Sequence, residues 1–562
     1  MSWATVSAQH TTQPVVFVAI TFASGARYYS TTYVRTATRS YKGNIVNLPE
    51  IRSSVGDIKR TYEKNLISIV FSDADYEFRG IEETENPGFR NRPVTVQVAF
   101  ADDAYATPLT LYSGRIYDWR RLDNLQYQID VEENSLNLTN EYPDKRVEIT
   151  DYPYADPSAI GWTVPTPYGV ISALATSGDG AYGHPSLSPE GYGGLPLVDN
   201  RLDVEVTLVG RQAAAITVDR VYFDGFLMTS GVDYNIGTQT IGGFTFTEIR
   251  WTAGLNPTNY NRISCDITFG TRRPVEAIQH FLINFCEYAS GDFDSTSYTA
   301  ATTMETNRGY SFAGVMWEAK QLLTILDQWR DEFELDMYWN KAGKVCFQYL
   351  TSVFLTPRKY NDVTTILAGF DSDPQVKELM NRLKHGYNFH YSRTYFYNYG
   401  TYEDTASQTK YGETFEVFQG FYWIRDTTMA YDIASRKVIR FKDPITFDEL
   451  RLPLTSFSDD VAGMVSVTHA EGVGAAGYVD KYFQVRVTNY NINQFVNTVL
   501  IEDAKNFTGN AFILGDETVL AATWAAATGA ERNYGYLCSD TTAGAEVAGE
   551  FSDGEPGKRM FD

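Results

Sequence analysis

Along Val94-Thr-Val-Gln-Val-Ala-Phe, the side chains of Val94, Val96, Val98 and Phe100 fall on one face of an extended chain, with Thr95 and Gln97 opposite. Tyr127, Ile129 and Val131 repeat the alternation after a turn at Asp123-Asn124. Together with Val15 to Phe22, Leu66 to Phe71 and Arg115 to Trp119, these stretches predict a β-barrel domain over residues 1–150. The same period returns near the other end. Val465, Val467 and His469 share a face, as do Phe483, Val485 and Val487, and a third strand follows from Asn497. Gly472, Gly474 and the run Asn489 to Asn493 supply the turns, so a second barrel is expected over residues 380–505. Its strands read as half buried, with Tyr482, Arg486 and Tyr490 on the outward face.

Between the two, the period changes. Residues 151–200 hold seven prolines among many glycines, which disfavours regular structure and predicts a long crossing segment. Residues 201–272 read as a small β domain, with a hairpin turning at Asp224-Gly225 and a closing strand from Ile263. From Pro274, the residues Val275, Ile278, Phe281, Leu282 and Phe285 recur every three or four positions, and Leu322, Leu326, Trp329 and Phe333 do so again. Both patterns predict helices that cover a sheet. The hairpin Leu335–Trp339, Asn340 to Gly343, Val345–Tyr349 follows directly, so residues 273–379 form an α+β module. Residues 506–562 read as an acidic, loosely packed extension. The fold class is mainly β with an α+β insert, in several domains.

Composition narrows the function. The 562 residues carry 70 acidic against 47 basic side chains, a net charge of -23, which argues against stable binding to DNA, RNA or anionic membranes but leaves transient passage of DNA open. Aromatic content is 14%, with 39 Tyr and 33 Phe, which suits pleated, half-buried surfaces. Cys265, Cys286, Cys346 and Cys538 lie far apart without a C-x-x-C pair and read as separate thiols in a reducing compartment. No apolar run approaches the ~20 residues of a membrane span. The start Met1-Ser-Trp-Ala-Thr-Val lacks a basic region followed by an apolar one, so use without secretion is expected.

Candidate chemistry is sparse. Gly309-Tyr-Ser-Phe-Ala-Gly faintly resembles a nucleophile elbow around Ser311, but no apolar strand precedes it, and a helix-capping stretch is the better reading. His385 and His390 point to opposite faces of a strand, unlike converging metal ligands. Asp73, Asp75 and Glu77, and the pair Asp371 and Asp373, lack the spacing of a calcium loop and read as turn acids. No catalytic set, metal site or cofactor site is expected.

The order of modules resembles the central baseplate hub or tail-tip proteins of tailed bacteriophages. Four stretches carry the likeness: Leu111 to Trp119 with its return strand Tyr127 to Glu132, the proline-rich run Pro153 to Gly169, the helix and hairpin from Ala319 to Tyr349, and Ala434 to Phe447 leading to the late meander. Where such proteins often have a Gly-Asp turn before the late strand, Gly463 is followed here by Met464. The resemblance implies a structural virion protein located in the tail after assembly in the host cytoplasm. It implies a homotrimer whose two barrels per chain give six units joining a sixfold tube to a threefold spike. The implied partners are the distal tail protein, the tape-measure protein and tail fibre or spike proteins, with DNA only in passage and the host envelope met indirectly. Tyr482, Arg486 and Tyr490 would then lie at a subunit interface. A receptor- or carbohydrate-binding tail-tip protein and a tail-associated hydrolase remain the alternatives.

Overall fold

A computed structural model of the chain describes residues 14–504 with interruptions, the longest at 56–65, 101–107, 134–139, 172–196, 253–262 and 350–357, together with 536–537 and 558–559. The middle of the crossing segment and nearly all of the C-terminal extension therefore lie outside the described residues, as do Cys538 and the turn at Asp224-Gly225.

The first sheet has seven strands in the order Gly25–Ser30, Pro14–Phe22, Pro93–Phe100, Leu109–Arg121, Gln126–Glu132, Leu66–Ser72 and Ile45–Asn47. Alternation decides its inside, for Val18, Val96, Ile69 and Ile129 are all fully buried in one core. The backbone near Lys42 draws the outer strands together. Ser30 N donates to Lys42 O at 2.7 Å, and Ser72 N donates to Asn44 O at 2.7 Å. The helix Glu77–Thr84 plugs one end with Phe78 and Ile81, and its start is held by the buried Asp73 carboxylate, which accepts from Phe78 N at 2.7 Å.

The late sheet also has seven strands. Its main path runs Arg358–Asn361, Met464–His469, Tyr478–Asn491, Val496–Asp503, Ile445–Pro453 and Ala368–Gln375. Asn361 O accepts from Thr365 N and Ile366 N at 3.1 and 3.0 Å, which turns the chain from the first strand of this path back toward the last and leaves the sheet curled. The seventh strand comes from the other end of the chain: Ile51–Ser54 leaves the first barrel and pairs antiparallel with Val487–Tyr490. This clip ties the two barrels.

Most of the described residues between the two sheets pack around one large core that runs from Tyr142 to Val438. It contains two five-stranded sheets, the hairpin Leu335–Trp339 with Val345–Tyr349, and the predicted helices Pro274–Phe285 and Leu322–Phe333. Leu322, Leu326, Trp329 and Phe333 form the buried stripe that their spacing predicts.

The structure departs from the sequence reading in several places; Arg358–Asn361 and Ala368–Gln375, read as part of the α+β module, are strands of the late sheet. Thr166–Ile171, inside the supposed crossing segment, is a buried strand that pairs first with Gly314–Met316 and then with Ile267–Phe269. Gly169 makes that change of partner possible: its φ is +71°, and a Cβ there would collide with the Phe312 carbonyl oxygen. Residues 382–441, read as strands of the late barrel, instead form a three-stranded sheet with the helices Thr405–Tyr411 and Thr427–Phe441, packed on the central core. A further unforeseen helix, Ser295–Arg308, starts at the Asp294 cap and stops at Gly309 with φ 67°. Ser311 therefore follows a helix C-terminus and caps no helix start.

Candidate functional site

The strand Tyr478–Asn491 pairs within its own sheet and with Ile51–Ser54 of the first sheet, and its side chains reach the Leu335–Tyr349 hairpin, so the buried chemistry between these parts gathers along it. One face of its middle carries Phe483 and Val485 into the late barrel's core, as alternation requires. The opposite face carries Gln484 and Arg486, which alternation alone assigns to solvent. They are buried instead, at 0% and 1% exposure, because the hairpin Leu335–Trp339 and the helix Thr427–Phe441 cover that face. Arg486 reaches Asp336 on the hairpin at 3.0 Å and Glu502 on the neighbouring strand at 3.4 Å, and donates to Gln484 at 3.2 Å. Glu502 in turn receives Arg440 from the helix through contacts of 3.0 to 3.2 Å. Burial opposes the Arg440 charge, but Glu502, Glu334 and Asp336 outweigh it and hold its pKa above the ordinary value.

Two cations and two carboxylates are thus withdrawn from water, each against a partner from another element. Such a network adds little net stability over an apolar packing of the same volume, but breaking it leaves an uncompensated charge. Its directional bonds allow one register of barrel on module, which is the use a joint has for it.

A second cluster lies at the far end of the same strand. Tyr490 is fully buried, packed within the first barrel's core beside Phe457 at 5.2 Å, and its hydroxyl donates to Asp459 O. Above its ring, at 4.7 Å, sits the Lys341 ammonium from the hairpin turn, which also donates to Phe457 O at 2.7 Å and Asp459 O at 2.5 Å. Burial pulls the Lys341 pKa down to about 8, against the pull of Asp460. The clip closes the joint: Val55 N donates to Arg486 O at 3.1 Å, the buried Arg330 guanidinium donates to Val55 O at 2.9 Å, and Asn489 and Asn491 donate to Glu50 at 2.6 and 2.9 Å.

The outward positions expected for Arg486 and Tyr490 are corrected by this burial, since both sit between modules of one chain. Tyr482 is partly exposed. The other candidates have local roles. Asp75 pairs with Lys42 at 2.9 Å. Ser311 is exposed, with its backbone N–H directed at Met429 Sδ at 3.5 Å. Asp371 and Asp373 lie on the strand Ala368–Gln375. His385 is buried beside Tyr387, Phe421 and Tyr431. Cys265, Cys286 and Cys346 are buried free thiols, and burial raises Cys286 and Cys346 to about 12. Among the described residues no group of three or more His, Cys, Asp or Glu side chains is placed to hold a metal ion.

Two buried carboxylates went unnoticed in the sequence. Glu305 accepts from Val275 N at 3.0 Å, holding the start of the Pro274–Phe285 helix, and from Tyr349 Oη at 2.5 Å; burial pushes it up to about 7. Glu332 accepts from Gln328 at 2.8 Å and Trp423 N at 3.0 Å, and burial pushes it up to about 8. Glu332 shares a helix with the apolar stripe, and nothing in its spacing separates it from the partly exposed Asp327 and Asp331.

No family model and no curated protein matches the chain. Solved structures that it is similar to include the 43 kDa tail protein of prophage MuSo2 from Shewanella oneidensis, at 8% identity over 87% of this chain and 99% of that one, with a TM-score of 0.36. A tail protein from Neisseria meningitidis MC58 gives 6% identity, 87% and 96% coverage and a TM-score of 0.41. A chain from the virion of a native gene transfer agent particle gives 9% identity, 68% and 94% coverage and a TM-score of 0.41. At such identities and TM-scores the likeness is one of general layout, and the roles of those proteins are not carried over with it.

Proposed function

We propose that this chain is a structural protein of a phage tail, acting as the central hub of the baseplate or tail tip. The observation that carries the reading is the paired barrel. Two seven-stranded sheets, one from each end of the chain, are clipped together by Ile51–Ser54 and set on one central module by buried ion pairs. Three such chains around an axis would offer six barrels, which is what a part needs to match a threefold spike to a sixfold tube. The distal tail protein, the tape-measure protein and fibre or spike proteins are the partners of this reading, and the virion tail is its location. A non-enzymatic role belongs to the same proposal. The net charge of -23 suits a channel wall that passing DNA does not adhere to.

Sedimentation and single-particle imaging of the purified chain test it. A threefold particle with six similar densities around its axis is the expected result. A chain that stays monomeric at micromolar concentration, alone and with its tail partners, would overturn the hub assignment.

A further inference from the structure

The helix Pro274–Phe285 has two unlike faces. Val275, Ile278, Phe281 and Leu282 enter the central core, whereas Glu276, Gln279, His280, Ile283 and Asn284 follow the helical spacing of the opposite side. That opposite side lines a cleft of about 520 Å³, walled also by Gly270 and Arg272 after the strand Ile263–Phe269 and by Tyr298 of the helix Ser295–Arg308.

Arg272 brings this cleft a charge with no counter-charge. Its backbone is fixed, since Phe312 N donates to Arg272 O at 2.9 Å. Its guanidinium makes no ion pair among the described residues, and its Nε is buried without an acceptor. The carboxylate of the lining, Glu276, is already taken: it accepts from Arg273 N at 3.0 Å and from the Arg273 guanidinium at 3.2 Å. Burial and the Arg272 charge pull the His280 pKa down to about 4, so that ring is neutral at neutral pH.

The neutral groups around Arg272 keep bonding capacity as well. His280 Nδ1 meets Tyr168 Oη at 3.1 Å, which leaves Nε2. Asn284 donates its amide N–H to His280 O at 2.8 Å, which leaves Oδ1 as an acceptor. The Gln279 amide and the Tyr298 hydroxyl have no hydrogen-bond partner among the described residues. A guanidinium fork fits a carboxylate or a phosphate. The amide oxygens of Gln279 and Asn284 accept only, and a bare anion would leave them unmatched. Hydroxyl groups both donate and accept, so they satisfy amides and imidazole alike.

We propose that this cleft binds an anionic sugar, with its carboxylate or phosphate on Arg272 and its hydroxyl groups on Gln279, His280, Asn284 and Tyr298. The volume falls in the range of small-ligand sites. Ile283 is the aliphatic side chain of the lining, so polar contacts carry the recognition. The assignment goes beyond a tail role and stands on the cleft alone.

Titration of the full chain by calorimetry and saturation-transfer NMR tests it, with glucuronate, N-acetylneuraminate and a glucose phosphate as acidic sugars, and with glucose, inorganic phosphate and a short acidic peptide beside them. At least one acidic sugar should bind, tenfold or more tighter than glucose, inorganic phosphate or the peptide. Whether a carboxylate or a phosphate sugar ranks first tells which anion the site takes. Arg272→Gln should weaken that binding at least tenfold with an unchanged melting temperature, because the side chain leaves no buried partner behind. Gln279→Ala, on the outer side of the helix, should weaken it severalfold and supplies the reading if the arginine variant fails to fold. Absence of binding by every acidic sugar at millimolar concentration would overturn the proposal. So would equal or tighter binding of glucose, inorganic phosphate or the peptide, or unchanged affinity in a folded variant at Arg272.

Discussion

The first and late barrels have the same number of strands, yet they solve burial differently. In the first, strands such as Pro93–Phe100 turn Val94, Val96 and Val98 into an apolar core and leave Thr95 and Gln97 half exposed, with the buried Asp73 carboxylate holding the helix at one end. In the late barrel, Tyr478–Asn491 is buried on both faces, with aliphatic residues on one side and Gln484, Arg486 and Thr488 on the other. A sheet that only has to fold needs one apolar face. A sheet that also has to seat on a neighbour in a single register gains from charges whose partners lie on that neighbour.

The largest test of this contrast removes a charge. Arg486→Ala should cost about 3–5 kcal/mol, because Asp336 and Glu502 would be left buried with one cation fewer. Ile129→Ala, in the first barrel, should cost about 2–5 kcal/mol by cavity formation alone. Denaturant titrations compare the two, and a loss below about 1 kcal/mol for the arginine variant would refute the joint. Glu332 sharpens the point, since it is a buried carboxylate met by amide donors. Its pKa is raised in the folded chain to about 8, so its contribution to stability is complete below about pH 4.5 and lost as pH rises through 8. Glu332→Gln should therefore flatten the fall in stability between about pH 5 and pH 8, with a gain of at most roughly 3–5 kcal/mol at pH 8. Thermal melts at the two values decide it.

A smaller effect is expected at the clip. Glu50→Ala removes the acceptor for Asn489 and Asn491 at an exposed site and should cost about 1 kcal/mol. Ser311→Ala, exposed and outside any helix cap, should stay within about 0.5 kcal/mol in the same titrations.

Much of this plan is legible in the sequence where one periodicity acts alone. The strands around Val96 and Ile129, the stripe from Leu322 to Phe333 and the hairpin at Asn340 follow from period and turn residues. Legibility fails where an element is covered twice. Alternation at Arg486 and Tyr490 is real, but it describes two faces without saying that both are buried. The helix Thr427–Phe441 was open to recognition, since Asp426 caps it and Met429, Ala430, Ile433, Ala434 and Val438 keep a helical spacing. Its arginine and lysine residues mask that stripe, because Lys437 and Arg440 are themselves buried against carboxylates from elsewhere in the chain. The Tyr482→Asp, Tyr490→Asp pair, which the outward reading would offer as a surface probe, is consequently a core lesion at Tyr490.

The clip at Ile51–Ser54 also sets a clock. Glu50 and its partner Asn489 are 439 residues apart, and a chain synthesised at ~5–20 residues per second separates their emergence by roughly 20 to 90 s. During that interval the strands of the first barrel can pair, but its core still lacks Phe457, Tyr490 and Ile492, and the strand destined for the late sheet must wait with its outer edge unfilled. Pairing of Ile51–Ser54 with Val487–Tyr490 then waits on the late sheet. A product truncated before the late sheet keeps an open strand and cannot form the paired unit.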